Sequence, residues 1–299
     1  MHSNSVYFYN RYTRRVEPEM IYGERSLRWI YGNPLGRLAL HAVAKRAFFS
    51  RWYGRRMDAP ASRAKVAPFI WEYQVDTSEF AAPPATFLTF NEFFYRKLKS
   101  SARPISGDAH TAVFPADGRH LGFQDVSQVE GIFVKGQVFT LSDLLQDTGL
   151  ALRYQRGAMV LSRLCPVDYH RYHFPVGGMA TEPSLINGWL YSVNPLALRQ
   201  NIRIFTENKR AITRIDSPEF GQVLMLEVGA TCVGSFEYTF KPNTRVQKGA
   251  EKGYFKFGGS STITLFEPGR VRLAEDLIEQ TAQHRELYAR MGDSLGVAT

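Results

Sequence analysis

The chain has 299 residues, 44% of them hydrophobic, enough for one large domain or two modest ones around a proper core, which excludes disorder as the default reading. A formal net charge of +9 draws anionic partners such as acidic headgroups, nucleic acid or phosphorylated small molecules. No basic helix, zinc-finger spacing or RRM-like aromatic motif accompanies that charge, so nucleic acid is set aside. The start, MHSNSVYFYNRYTRR, lacks the apolar stretch of a secretory signal, and no window nears the ~18 uninterrupted apolar residues of a membrane span. The expectation is a protein that does not cross a membrane. Cys165 and Cys232 show no C-x-x-C spacing, which fits a reducing compartment.

Residues 20 to about 100 read as mainly helical. The segment LGRLALHAVAKRAFFSRWYGRR (35–56) mixes leucine, phenylalanine and tryptophan with arginine and lysine, the composition of a helix at a lipid interface. Lys45 and Arg46 fall among its apolar wheel positions, so an ordinary surface helix fits that segment equally well. TFNEFFYRKLK (89–99) predicts a capped helix packed on the core and stopped by Pro104.

From about residue 111 short β-rich runs separated by Gly, Pro and Asn take over: HLGFQDV, AMVLSRL, RYHFPVGGMA, QVLMLEVGA, TCVGSFEYTF and YFKFGGSSTITLFEP. LAEDLIEQTAQHRELYARM (273–291) reads as a closing charged helix. With no repeat and no long linker, the expected class is α+β. A mainly helical region, 1–108, packs on an antiparallel β-rich domain, 109–299.

The most informative segment is EKGYFKFGGSSTITLFEPG (251–269), where Gly258 and Gly259 followed by Ser260 and Ser261 interrupt an apolar strand pattern. Glycine in a strand marks a bulge or a close backbone approach. A serine directly after such a glycine can turn its hydroxyl onto the preceding carbonyl, converting the Gly259–Ser260 amide into an ester. Elimination then gives dehydroalanine and hydrolysis a pyruvoyl group. A glycine bulge with two solvated serines is the plainer explanation of a bare G-G-S-S. Elsewhere VFPADGRHLG (113–122) sets Asp117 in a tight turn, and LCPVDYHRYHFPVGG (164–178) supplies His170 and His173. A hydroxyl nucleophile needs a base, and an imidazole base needs a carboxylate to fix its tautomer. Each residue also has a structural explanation, and the D-x-H-x-x-H cluster lacks a third metal ligand at a characteristic spacing.

Over most of its length the chain resembles the phosphatidylserine decarboxylase proenzyme family. The resemblance rests on FNEFFYRKLK followed by ARPI, FPADG, KGQVFTLSDLL, DYHRYHFPV, YSVNP, FTENKR, EVGATCVGS and KGAEKGYFKFGGSS, in that order. The family's processing site is commonly leucine-glycine-serine-threonine, with glycine-glycine-serine variants; here it reads Gly258-Gly259-Ser260-Ser261. The resemblance implies a self-processing triad in which Asp117 orients His173 and His173 deprotonates Ser260. It implies cleavage between Gly259 and Ser260 into a large chain, 1–259, and a small chain, 260–299. Ser260 would become the pyruvoyl group, the sole cofactor, with neither metal nor pyridoxal phosphate, and His170 would act in decarboxylation. The implied partners are phosphatidylserine in an anionic membrane and the chain's own two products as a heterodimer, with room for further dimerisation. The implied location is peripheral, on the cytoplasmic side of the cell membrane. Two other readings compete: a serine hydrolase using Asp117, His173 and Ser260, against which no G-x-S-x-G elbow is present, and a non-catalytic lipid-binding protein or hairpin carrier module.

Overall fold

The computed structural model describes residues 6–20, 29, 47–127, 140–198, 203–230, 236–258 and 260–299. Gly259, Cys232, residues 35–46 of the basic aromatic segment and the KGQVF part of the 135–145 stretch lie outside the described residues.

The body is a mixed α+β fold dominated by antiparallel sheet. An N-terminal hairpin, β1 (Tyr7–Asn10) and β2 (Arg15–Pro18), is followed after the helical cap by β3 (Thr111–Val113), β4 (Gly118–Phe123) and β5 (Ala158–Leu164). Next come β6 (Arg171–His173), β7 (Gly178–Ala180), β8 (Ser184–Ile186), β9 (Arg210–Ser217), β10 (Gly221–Val228), β11 (Phe236–Tyr238) and β12 (Thr244–Val246). The last five are β13 (Glu251–Phe255), β14 (Ser260–Phe266), β15 (Val271–Leu273), β16 (Glu286–Ala289) and β17 (Ser294–Ala298). Among the described residues eleven strands join in one sheet, ordered β12-β7-β9-β10-β14-β5-β4-β16-β1-β2 with β8 added beside β9. Two three-stranded sheets, β11-β13-β6 and β15-β17-β3, complete the body.

β14 lies at the centre, antiparallel to β10 through Leu224↔Leu265 and to β5 through Ser260↔Leu164. Its alternation explains the position: Ile263 and Leu265 enter one apolar cluster, while Phe266 enters the other on the opposite face. All seven residues of the strand are buried. A peptide cut at its start would stay bound, because two neighbouring ladders and both cores hold the segment after it.

The cap is built from short helices, Ala47–Asp58, Val66–Glu72 and Phe90–Phe94. Thr89 caps the last of these by accepting the Glu92 N–H, and Glu92 reaches back to the Leu88 N–H. Its phenylalanines 90, 93 and 94 pack with Met57, Phe69 and Phe257 in an aromatic cluster that joins cap to body.

Two expectations change. Residues 7–18 are a hairpin in the main sheet rather than part of a helical region, because β1 finds a parallel partner in β16. The closing helix is also shorter than its pattern: it spans Glu275–Ala282, and His284 then adopts a left-handed φ of 55°. That conformation ends a helix, and the following residues become β16 and β17. Among the described residues no helix is long and apolar enough to cross a membrane.

Candidate active site

The loop between β5 and β6 delivers His170. Cys165-Pro166-Val167-Asp168 forms a turn closed by the Asp168 N–H on the Cys165 carbonyl at 2.9 Å, with proline in its favoured second position. The Asp168 carboxylate accepts back from the Cys165 N–H at 2.6 Å and is anchored by Arg119 at 2.6 and 2.7 Å. The same Cys165 carbonyl lies 2.8 Å from His170 Nε2. A carbonyl only accepts, so Nε2 carries the proton and Nδ1 keeps its lone pair. Nδ1 faces Ser260 Oγ at 3.4 Å.

Both His170 and Ser260 are 0% exposed. Burial depresses the His170 pKa to about 3, against the opposing Cys165 bond and with help from the Arg96 charge, so the ring is a neutral acceptor at physiological pH. Phe94 covers one face of the ring, centroids 3.8 Å apart. On the chain leading to Ser260, Gly258 has φ 145°, a backbone region that side chains other than glycine's rarely allow.

His173 and Asp117 have other direct partners. His173, at the end of β6, places Nδ1 2.9 Å from the Gly249 carbonyl and Nε2 3.2 Å from the Tyr169 hydroxyl. Its pKa is also lowered, chiefly by burial, while the Glu251 and Asp117 charges pull the other way. Asp117 sits in the turn before β4, where Gly118 is required: a Cβ there would lie 2.5 Å from the Arg163 carbonyl of β5. The Asp117 carboxylate receives Arg103 Nε at 2.9 Å, Arg103 Nη2 at 2.6 Å and the Met291 N–H at 2.8 Å. Asp117 therefore faces a polar cavity of about 200 Å³ between cap and body, shared with Arg103, Asp168 and Tyr169. Of the expected triad, Asp117 and His173 share no hydrogen bond; the nearest link is the His173 N–H on the carbonyl of Pro115, two residues before Asp117. The imidazole in contact with Ser260 is His170.

Sequence reasoning passed over Phe94, the Cys165 carbonyl, Tyr169 and Arg103. Phe94 and Arg103 stand inside FNEFFYRKLK and ARPI, two of the motifs that carry the resemblance, but linear spacing does not reveal what they touch. Among the described residues no three His, Cys, Asp or Glu side chains gather in a way that would hold a metal ion.

Comparison with known proteins defines the class as a carboxy-lyase. The phosphatidylserine decarboxylase family model matches residues 90–297. A phosphatidylserine decarboxylase proenzyme of Fusobacterium nucleatum is 44% identical over 296 residues, 99% of either chain. That of Chlamydia muridarum is 45% identical over 296 residues, covering 99% of this chain and 98% of its own. That of Clostridium beijerinckii is 40% identical over 291 residues, with 97% and 98% covered. The chain belongs to the phosphatidylserine decarboxylase family.

Proposed function

We propose that this chain cuts its own backbone between Gly259 and Ser260 and then, as paired chains 1–259 and 260–299, releases carbon dioxide from phosphatidylserine to give phosphatidylethanolamine for phospholipid synthesis. The observation that carries the proposal is the 3.4 Å approach of His170 Nδ1 to the buried Ser260 Oγ. In the cut, Ser260 Oγ gives up its proton and attacks the Gly259 carbonyl, and the amide becomes an ester. Loss of the Ser260 α-proton then expels the Gly259 carboxylate and leaves dehydroalanine. Water replaces the amino nitrogen, which departs as ammonia, and a pyruvoyl group caps the small chain.

The site suits such a group. Ser260 is buried at the start of a strand gripped by β5 and β10, beside a neutral imidazole, so a carbonyl made there keeps its place. Once present, the pyruvoyl group supplies a ketone for the substrate amine and a sink for the electron pair left by departing carbon dioxide. His170, next to that position, is suited to hold and return a proton at the substrate Cα.

Roles for the two histidines follow from the resemblance: His173, oriented by Asp117, takes the Ser260 proton during the cut, and His170 serves decarboxylation. For the first role His173 Nε2 must leave Tyr169. A second reading is favoured by the His170–Ser260 contact itself, with His170 also serving as base for the cut. Single variants separate them. Under the first, His173→Ala stays uncut while His170→Ala is cut but inactive; under the second, His170→Ala stays uncut.

Several exposed apolar side chains on the cap, beside two arginines, support a peripheral position on an anionic membrane surface, on the cytoplasmic side that the resemblance implies. Phe48 and Trp52 are 56% and 51% exposed on the helix that carries Arg55 and Arg56, and Trp71 is 83% exposed. Intact-mass analysis tests the whole scheme. Wild-type protein gives two fragments, the small one gaining a substrate adduct after borohydride, and Ser260→Ala stays at one 34 kDa chain. A wild-type protein that remains whole while still decarboxylating refutes it.

A further inference from the structure

The short helix Phe90–Phe94 reaches the candidate site at two points. Phe94 stacks on His170. Three residues earlier, on the same helical face, Asn91 is 0% exposed and uses both ends of its amide. Its Oδ1 accepts the Phe257 N–H at 2.8 Å, and its Nδ2 donates to Asp58 Oδ1 at 2.8 Å.

Neither bond serves the helix, which has its own cap in Thr89 and Glu92. Asparagine is a poor helix former, and a buried amide costs stability unless both ends are satisfied. The bond to Phe257 falls where the backbone most needs an outside hold. β13 ends at Phe255 and β14 begins at Ser260, so Phe257 and Gly258 belong to neither strand. The Phe257 ring is fixed by the same helix, 5.1 Å from Phe90 and 4.9 Å from Phe94. Asp58, at the end of the Ala47–Asp58 helix, decides which way the amide points: a carboxylate takes the NH₂ end and leaves the oxygen for Phe257.

We infer that Asn91, aimed by Asp58, is a positioning residue for the cut, holding the backbone two residues ahead of Gly259 while Phe94 holds the imidazole facing Ser260. One rigid turn of helix then sets the separation between the serine hydroxyl, its imidazole and the chain leading into the scissile link. An intramolecular attack on a carbonyl is acutely sensitive to such placement, and about 1 Å of error costs on the order of a hundredfold in rate. The inference rests on the proposal that the chain cuts itself.

The test follows conversion of freshly synthesised full-length precursor by intact mass. Asn91→Leu, close in size but without either bond, is expected to cut at least tenfold more slowly while its precursor keeps the wild-type circular dichroism spectrum. Asn91→Asp sets two carboxylates against each other and is also expected to be slow. Its rate relative to wild type should rise between pH 7.5 and 5.5, as protonation restores a donor toward Asp58, a response that a mere packing defect would not give. Adding Asp58→Asn to Asn91→Asp exchanges acid and amide and rebuilds both bonds, and is expected to return cutting to within threefold of wild type. Should Asn91→Leu fail to fold, the Asn91→Asp and exchanged variants decide. Wild-type speed in Asn91→Leu or in Asn91→Asp, or an exchanged variant no faster than Asn91→Asp, overturns the inference alone. An uncut wild-type chain would instead overturn the proposed function.

Discussion

Phe94 lies nearly parallel to His170, 23° between ring planes and 3.8 Å between centroids, so the imidazole facing Ser260 is walled from water on that side. Because burial is the main cause of the depressed His170 pKa, the phenyl ring is part of what keeps Nδ1 unprotonated. Truncation in Phe94→Ala admits water, and the pKa moves up toward the ordinary value of about 6.5. The sign is definite: protonation removes the lone pair, so the variant loses its acceptor at a higher pH than wild type does. Where His170 is the base for the cut, the wild-type cutting rate is expected to change less than twofold between pH 7.5 and 5.5 while Phe94→Ala falls severalfold; where His173 is the base, the same fall is expected in decarboxylation instead. Parallel profiles for the two proteins would show that the ring does not govern this proton.

Much of this site was legible because its key segments are local. The alternation of STITLF forces a strand with both faces buried, and two glycines ahead of it announce an unusual backbone, as the φ of Gly258 bears out. Partners distant in sequence were not legible. The Arg103 guanidinium reaches Asp117 across fourteen residues, and no periodicity encodes that meeting. The C-terminal segment misled for the opposite reason. ELYA continues a helical pattern, yet Leu287 gains more by pairing with His120 of β4, a tertiary choice that overrides propensity.

The Asp117–Arg103 pair predicts a structural defect separable from any effect on the cut. Asp117 is 2% exposed and binds Arg103 through both oxygens, while Arg103 also reaches Glu79 of the cap at 2.9 Å. Removing one member of a buried pair costs about 3–5 kcal/mol, because the other is left uncompensated. Glu79 softens that loss for the arginine. Asp117→Asn is therefore expected to lose about 2–4 kcal/mol in urea unfolding, measured on the Ser260→Ala background so that cleavage does not intervene. A change below about 1 kcal/mol, the scale of an exposed pair, would show that Glu79 alone suffices for Arg103.

Inside the body a second pair makes a sharper case. Lys252 Nζ contacts Glu227 Oε1, both side chains are 0% exposed, and the Tyr238 hydroxyl donates to the other Glu227 oxygen at 3.1 Å. Burial pushes the Glu227 pKa up and the Lys252 pKa down, and the charge of each opposes the shift of the other. Glu227→Gln strands the ammonium and is expected to cost about 3–5 kcal/mol. Replacing both, as Glu227→Leu with Lys252→Met, removes two desolvation penalties together and should recover most of that loss. A double variant as unstable as Glu227→Gln would mean that the pair contributes through geometry apolar side chains cannot reproduce. Glu227 stands opposite Thr262 of β14 in the ladder, so the same comparison reports on the strand that begins at Ser260.

Acid sensitivity follows from a third buried histidine, clear of the proposed chemistry. His120 of β4 is 0% exposed, its Nδ1 2.9 Å from Ser162 Oγ and its Nε2 3.2 Å from the Ala289 carbonyl. Burial lowers its pKa to about 3, and the Ala289 bond only partly offsets the effect. In the unfolded chain the same ring titrates near 6.5. Between those values the unfolded state holds a proton that the folded state refuses, so unfolding becomes easier as pH drops. The contribution is complete above about pH 6.5, shrinks by about 1.4 kcal/mol per pH unit below it, and is spent near pH 3. His170, similarly depressed, adds a parallel loss. Urea unfolding of Ser260→Ala protein at pH 7, 6 and 5 should show this slope, and adding His120→Gln should flatten it by about 1.4 kcal/mol per unit. An unchanged slope would mean that the ring takes up its proton without unfolding, through an opening between β4 and β16 that admits water to Nδ1.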